Sequence, residues 1–285
     1  MTTLILGVSS WVSAYLTPAL YRKGVRVIGT FHNTFPHGLN GMITPIQWDA
    51  RDLISLETLI ADARPDVIVN LLHTDDTKII EDVNNYIVKK IRNTSVLYVF
   101  LSSALAFDAD LSSLHREDDV PRAVSPYGVS TVGCERAIRD AHINHLIVRI
   151  AAIHGYAPNK ISRTERFLQS LFNDEVVEVD AGVIQNRLSV QRMADTLAAL
   201  IALRATGTLH LGTEDASTES SFLRQLALAF GYNSEQVVDN PSPVRNLVVL
   251  PGEAYNILGP KFRSTETDTI MLVRQIPQFA KYIKT

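Results

Sequence analysis

Cysteine is nearly missing from this chain. Cys134 is the single one, which excludes an internal disulfide and any zinc site built on several cysteines; a reducing compartment is expected. Basic clusters are missing too. The 27 Lys and Arg are spread against 30 Asp and Glu, for a net charge of −3, so no nucleic-acid partner is expected. No apolar run approaches the length of a membrane span, and no membrane partner is expected. The apolar stretch from Met1 to Leu20 has no basic residue before Arg22, so it lacks the charged first region of a secretion signal. From these absences a soluble cytoplasmic protein is expected. With 285 residues, 46% of them hydrophobic, the chain can bury roughly three-quarters of its unfolded surface without a disulfide or metal.

What is present is an alternation of short apolar strands and helical patterns. Thr3 to Leu6 reads as a strand and Trp11 to Tyr21 as a helix closed by Lys23-Gly24. Val25 to Thr30 and Pro45 to Trp48 are further strands, and Leu53 to Ala63 is a helix. The runs DVIVNL (Asp66 to Leu71) and VLYVFL (Val96 to Leu101) are apolar almost throughout, as strands buried on both faces of a parallel sheet must be. Helices are expected over Ile79 to Ile91 and Tyr127 to Ala141, then a strand from His145 to Ile150. This order predicts an α/β fold, a doubly wound parallel sheet of Rossmann type built from right-handed crossovers. Beyond about residue 155 the order changes, with helical stretches near 163–172, 190–203 and 220–230. The expected division is a dinucleotide-binding part, 1–155, and a smaller α/β lobe, 156–285, partly interleaved with it.

In such a sheet the first strand–turn–helix takes a pyrophosphate on backbone N–H groups and the helix dipole. Here the turn reads Gly7-Val8-Ser9-Ser10-Trp11-Val12-Ser13. It keeps the first glycine and places small hydroxyl residues at Ser10 and Ser13, where further glycines are usual. A plain strand-to-helix turn has the same pattern. After the second strand an acid would clasp the ribose 2′-hydroxyl of NAD; Phe31-His32-Asn33 stands there instead. That argues against strict NAD use and tolerates a 2′-phosphate, though no arginine is at hand and His32 would serve only when protonated. Asp49, followed by Ala50, is either an acceptor for the adenine amino group or the N-cap of the helix from residue 52.

The chemistry concentrates in Ser102-Ser103-Ala104-Leu105-Ala106-Phe107-Asp108, then Arg116-Glu117-Asp118-Asp119, then Ser125-Pro126-Tyr127-Gly128-Val129-Ser130-Thr131. This order resembles the extended short-chain dehydrogenase/reductase superfamily, in detail its dTDP-4-dehydrorhamnose reductase branch, which also holds the NADP-binding regulatory subunit of methionine adenosyltransferase. VIGTFHN, PDVIVNLL and HLIVRIAAIHGY carry the likeness further. The resemblance implies a nicotinamide-dependent oxidoreductase, with NADP as cofactor and NAD as the alternative. Its substrate would be a carbonyl or hydroxyl of a nucleotide sugar or similar metabolite, and the chain would form a homodimer by analogy. Carried over by position, Ser103 holds the carbonyl oxygen, Tyr127 handles the proton, and Thr131 replaces the family's lysine. Leu71, Leu72 and His73 would touch cofactor, while Ala104 and Arg187 would face substrate, Arg187 pairing with a diphosphate. Ala104 and Leu105 replace a polar Asp-Tyr pair, Arg192 stands where an acid is common, and Pro18 should disturb the first helix. The rival reading is a regulatory or scaffolding subunit that binds a dinucleotide without turnover; Thr131 favours it, and the retained Ser103–Tyr127 pair favours the enzyme.

Other patterns carry less. Gly128 to Val132 lacks the last glycine of a nucleophile elbow. His142 and His145 have no third ligand nearby in sequence, and Glu117-Asp118-Asp119 reads as a solvated turn, so no metal is expected.

Overall fold

A computed structural model describes residues 1–109 and 114–284. Six strands form in the first half: β1 (Thr2–Leu6), β2 (Arg26–Phe31), β3 (Ile43–Gln47), β4 (Val67–Asn70), β5 (Leu97–Ser103) and β6 (His145–Ile150). Between them run α1 (Ser13–Arg22), α2 (Leu53–Ala63), α3 (Thr77–Lys90) and α4 (Pro126–Asp140). Then follow β7 (Ala152–His154), α5 (Arg163–Phe172), β8 (Val177–Asp180), β9 (Val183–Gln185), β10 (Arg187–Ser189), α6 (Val190–Ala202) and β11 (Gly207–Leu211). The chain ends with β12 (Ser217–Thr218), α7 (Glu219–Ala229), β13 (Val237–Asn240), β14 (Arg245–Asn246), α8 (Gly252–Leu258) and α9 (Glu266–Arg274).

The main sheet has seven strands in the order β11-β6-β5-β4-β1-β2-β3, every pair parallel. The period of two in each strand sorts its side chains between two cores. Ile5, Val27, Val69, Val99, Val148 and Leu209 pack with α1 and α6, whereas Leu4, Ile28, Ile68, Tyr98, Phe100 and Ile147 pack with α2, α3 and α4. The strand order reverses between β4 and β1, which opens a crevice beyond the carboxyl ends of the strands, the usual ligand position of this architecture. The second half returns to this sheet through α6 and β11. It also builds its own core around Phe167, Leu171, Phe222, Phe230, Val273 and Phe279.

Local chemistry explains the boundaries. Helix α1 begins at Ser13, two residues later than expected, because residues 8–12 form the turn; it runs on through Pro18. Asp52, not Asp49, caps α2 by accepting from the Ser55 amide at 3.0 Å. Glu117 is half-buried rather than solvated: its carboxylate accepts from the amides of His210 and Glu253, tying β11 and the start of α8 to its loop.

Candidate active site

One crevice of about 1150 Å³ lies along the carboxyl edge of the sheet, somewhat larger than the roughly 300–1,000 Å³ usual for ligand pockets. At its centre is the first turn. Gly7 has φ +86°, and a Cβ there would sit 3.2 Å from the Leu71 carbonyl oxygen, so glycine is needed for both reasons. The Gly7 amide donates to the Thr30 hydroxyl at 3.1 Å and the Val8 amide to the Thr30 carbonyl at 2.8 Å. These bonds hold the turn against β2. The amides of Ser9, Trp11 and Val12 have no acceptor among the described residues and belong to residues lining the crevice. That donor set fits an anion such as a pyrophosphate. The Ser9 hydroxyl donates to the Thr34 carbonyl at 3.1 Å, whereas the Ser10 hydroxyl accepts the Ser13 amide at 3.2 Å and keeps its own proton to offer.

Loop 155–160 closes the mouth. The Trp11 indole N–H and the Tyr15 hydroxyl both donate to the Tyr156 carbonyl, at 2.7 and 2.8 Å. Asn159 Nδ2 reaches the Ser9 carbonyl at 3.4 Å, and Lys160 lines the same space.

At the β2–β3 end, Phe31, His32, Asn33, Asp49, Ala50 and Arg51 line the crevice. His32 Nε2 stands 3.5 Å and Arg51 Nη1 3.8 Å from the Asp49 carboxylate. An arginine is therefore present where the sequence offered none; the signal was its position two residues after Asp49, masked by its place beside a helix start. Leu71, Leu72 and His73 line the floor. Asn70 positions them: it accepts from the Leu72 amide and donates to the buried Tyr98 hydroxyl, which in turn donates to Asn84.

Ser103, Tyr127 and Thr131 share the crevice. Gly128 explains the Tyr-Gly pair: a Cβ there would lie 2.5 Å from the Leu105 carbonyl oxygen. Its absence lets the first turn of α4 close onto the turn that follows Ser103. Ser102 is withdrawn, since its hydroxyl donates at 2.5 Å to Glu135, itself paired with the buried Arg149. The Ser103 hydroxyl accepts the Leu105 amide at 3.2 Å and keeps its own proton to offer. Burial pushes the Tyr127 phenol above its ordinary value of 10.0. Thr131 Oγ1 donates to the Tyr127 carbonyl at 2.8 Å. The His73 ring stands edge-on to Tyr127, centroids 5.9 Å apart.

Two expected substrate contacts are corrected. Arg187 is fully buried, donating to Glu219 at 2.8 Å and to Glu266 at 2.6 Å while stacking over Phe222. An arginine so engaged holds the lobe together, and it is not among the residues that line the crevice. Ala104 is buried in a small cluster with Ala106, Phe107, Ala151 and Val249, so it packs rather than contacts a ligand.

A doubly wound sheet, a glycine turn with free amides and a Ser–Tyr pair at one crevice define a protein of the extended short-chain dehydrogenase/reductase type. The profile of the RmlD substrate binding domain matches residues 1–246, and the chain belongs to that dTDP-4-dehydrorhamnose reductase-like family. It is similar to the probable low-salt glycan biosynthesis reductase Agl14 of Haloferax volcanii, 22% identical over 250 residues, 81% of each chain. Among solved structures, Bordetella bronchiseptica WbmG in complex with NAD superposes with a TM-score of 0.83 at 16% identity, covering 99% of this chain and 94% of that one. A dTDP-4-dehydrorhamnose reductase of Bacillus anthracis in complex with NADP gives 0.77 at 14%, covering 95% and 98%.

Proposed function

We propose that this protein is an NADP(H)-preferring oxidoreductase acting on a carbonyl or hydroxyl of a nucleotide sugar or similar polar metabolite. The observation that carries the reading is the meeting of Gly7, Ser103 and Tyr127 on one crevice. Residues 1–155 supply the dinucleotide site, and the lobe from 156 onward covers the substrate. Relatives with NAD and with NADP support a nicotinamide dinucleotide, and Arg51 beside His32 favours the phosphorylated form.

The amides of Ser9, Trp11 and Val12 would hold the pyrophosphate, and a bound cofactor would supply the hydride. Ser103 donates a hydrogen bond to the substrate carbonyl oxygen. As negative charge develops there, the Tyr127 phenol gives its proton to that oxygen. A phenol raised by burial and lacking a lysine stays protonated at neutral pH, the form that can donate to the developing alkoxide.

Nicotinamide fluorescence during NADPH and NADH titration tests binding, and NADPH oxidation with 4-keto nucleotide sugars tests turnover. The expected result is binding in both wild type and Tyr127→Phe, with oxidation only in wild type. Thr131 in the lysine position favours a second reading, a dinucleotide-binding regulatory subunit. Binding with no oxidation by any keto substrate and an unaltered Phe variant would favour that one.

A further inference from the structure

Behind Ser103, set back from the residues that line the crevice, lies a fully buried ion pair of Glu135 and Arg149. Glu135 stands on α4 about two turns beyond Tyr127. Its Oε1 accepts the Ser102 hydroxyl at 2.5 Å and Arg149 Nε at 3.0 Å. Its Oε2 accepts Arg149 Nη2 at 2.8 Å and Arg139 Nη1 at 3.0 Å. Burial alone would raise this carboxyl, but Arg149, Ser102 and Arg139 outweigh it and hold the group below its usual range. Ser102 and Arg149 are partners across the β5–β6 ladder, so one carboxylate joins α4 to two strands. Arg149 carries the tie further. Its guanidinium stands 4.8 Å from the centre of the Phe107 ring, and its Nη1 donates to the Glu117 carbonyl at 3.2 Å. Ser103 is thereby bracketed, with Ser102 before it on Glu135 and Phe107, at the end of the turn Ala104–Phe107, over Arg149.

We propose that the Glu135–Arg149 pair sets the position of the Ser103 hydroxyl against the Tyr127 phenol, which makes Glu135 a positioning residue for the reaction. This rests on the oxidoreductase reading of the crevice and goes beyond it. The two reacting groups stand on different elements, Ser103 at the end of β5 and Tyr127 in the first turn of α4. Their spacing is therefore the slide of the helix along the strand. At the Tyr127 end that slide is limited by Gly128 against the Leu105 carbonyl. Farther along the helix it is limited by the Ser102–Glu135 bond. Apolar packing presses α4 onto the sheet without direction, whereas a carboxylate filled by charged and hydroxyl donors has one geometry. Stability does not account for the pair. Taking two charges out of water costs about as much as their attraction returns, and apolar replacements of both partners are often neutral or stabilising. What this pair supplies is register, and a misplacement of about 1 Å at a reacting group can cost on the order of a hundredfold in rate.

The test compares wild type with Ser102→Ala, with Ser102→Thr and with the double variant Glu135→Leu/Arg149→Met, which removes both charges together so that neither is left buried alone. NADPH titration, followed by nicotinamide fluorescence, counts competent sites and gives affinity. NADPH oxidation with a 4-keto nucleotide sugar gives kcat per site and KM. Affinity and KM should stay within about twofold of wild type, while kcat per site falls roughly tenfold in Ser102→Ala and roughly a hundredfold in the double variant. Ser102→Thr keeps the hydroxyl and should recover most of the loss. A merely structural role would lower the number of NADPH sites and leave kcat per site unchanged; that result in Ser102→Ala and the double variant overturns the proposal with the oxidoreductase reading intact. Loss of NADPH affinity in step with kcat would make the pair a support of the cofactor site and overturn it as well. Should the double variant not fold, Ser102→Ala against Ser102→Thr decides alone. Wild type that binds NADPH and oxidises it with no keto substrate would remove that reading and this inference with it.

Discussion

Thr131 occupies the place one helical turn beyond Tyr127, and its hydroxyl is spent on the Tyr127 carbonyl. A lysine there would favour phenolate; each unit of phenol pKa is worth about 1.4 kcal/mol. Thr131→Lys should therefore raise turnover roughly ten- to a thousandfold in the oxidative direction, read by steady-state kinetics. The pH profile carries the same sign. In wild type the phenol lies above its ordinary 10.0, so the oxidative rate should climb through pH 9 and 10 without a plateau, and Thr131→Lys should move that rise to lower pH. Ser103 and Tyr127 were singled out by resemblance to a family, and both line the crevice. Arg51 and the burial of Arg187 were not legible in the sequence. Arg51 becomes a site residue only when β2 and β3 lie side by side, and Arg187 is enclosed by Glu219 and Glu266, which lie 32 and 79 positions away.

Among elements, the Arg187 cluster joins β10 to the first turns of α7 and α9. Burial alone would raise the Glu219 carboxyl, but Arg163 and Arg187 outweigh it and hold the group below its usual range. At Glu266 burial prevails and the carboxyl is pushed up, despite the Ser217 hydroxyl and Arg187. Arg187→Met would leave two buried carboxylates without their central cation and should cost about 3–5 kcal/mol, measured by urea unfolding. NADPH affinity of the folded protein should not change, because Arg187 does not reach the crevice. The helices and strands themselves were readable from apolar period, as in Val67–Asn70, every residue of which is buried. The late start of α1 was not, because Trp11 and Val12 have helical composition yet lie in the turn.

Across the molecule, two buried histidines set the acid limit. Burial lowers His154 and His210 to about 3, against an ordinary value near 6.5. Unfolding lets both take up protons, so their contribution is complete above about pH 6.5 and is lost progressively as pH falls toward 3. The melting temperature should decline steeply across that window, and His210→Gln should flatten part of the decline in calorimetry. The doubly wound sheet was apparent from the order of apolar runs. Which residues of the second half build the ionic core of the lobe depends on packing that no local pattern records.

The chain has two tryptophans, Trp11 and Trp48, and both border the crevice, one tied to the Tyr156 carbonyl and the other to the Asp52 carbonyl. Indole emission from this molecule therefore arises from two side chains beside one opening. A bound reduced nicotinamide should accept their excitation, giving the protein a built-in optical signal of occupancy that needs no label.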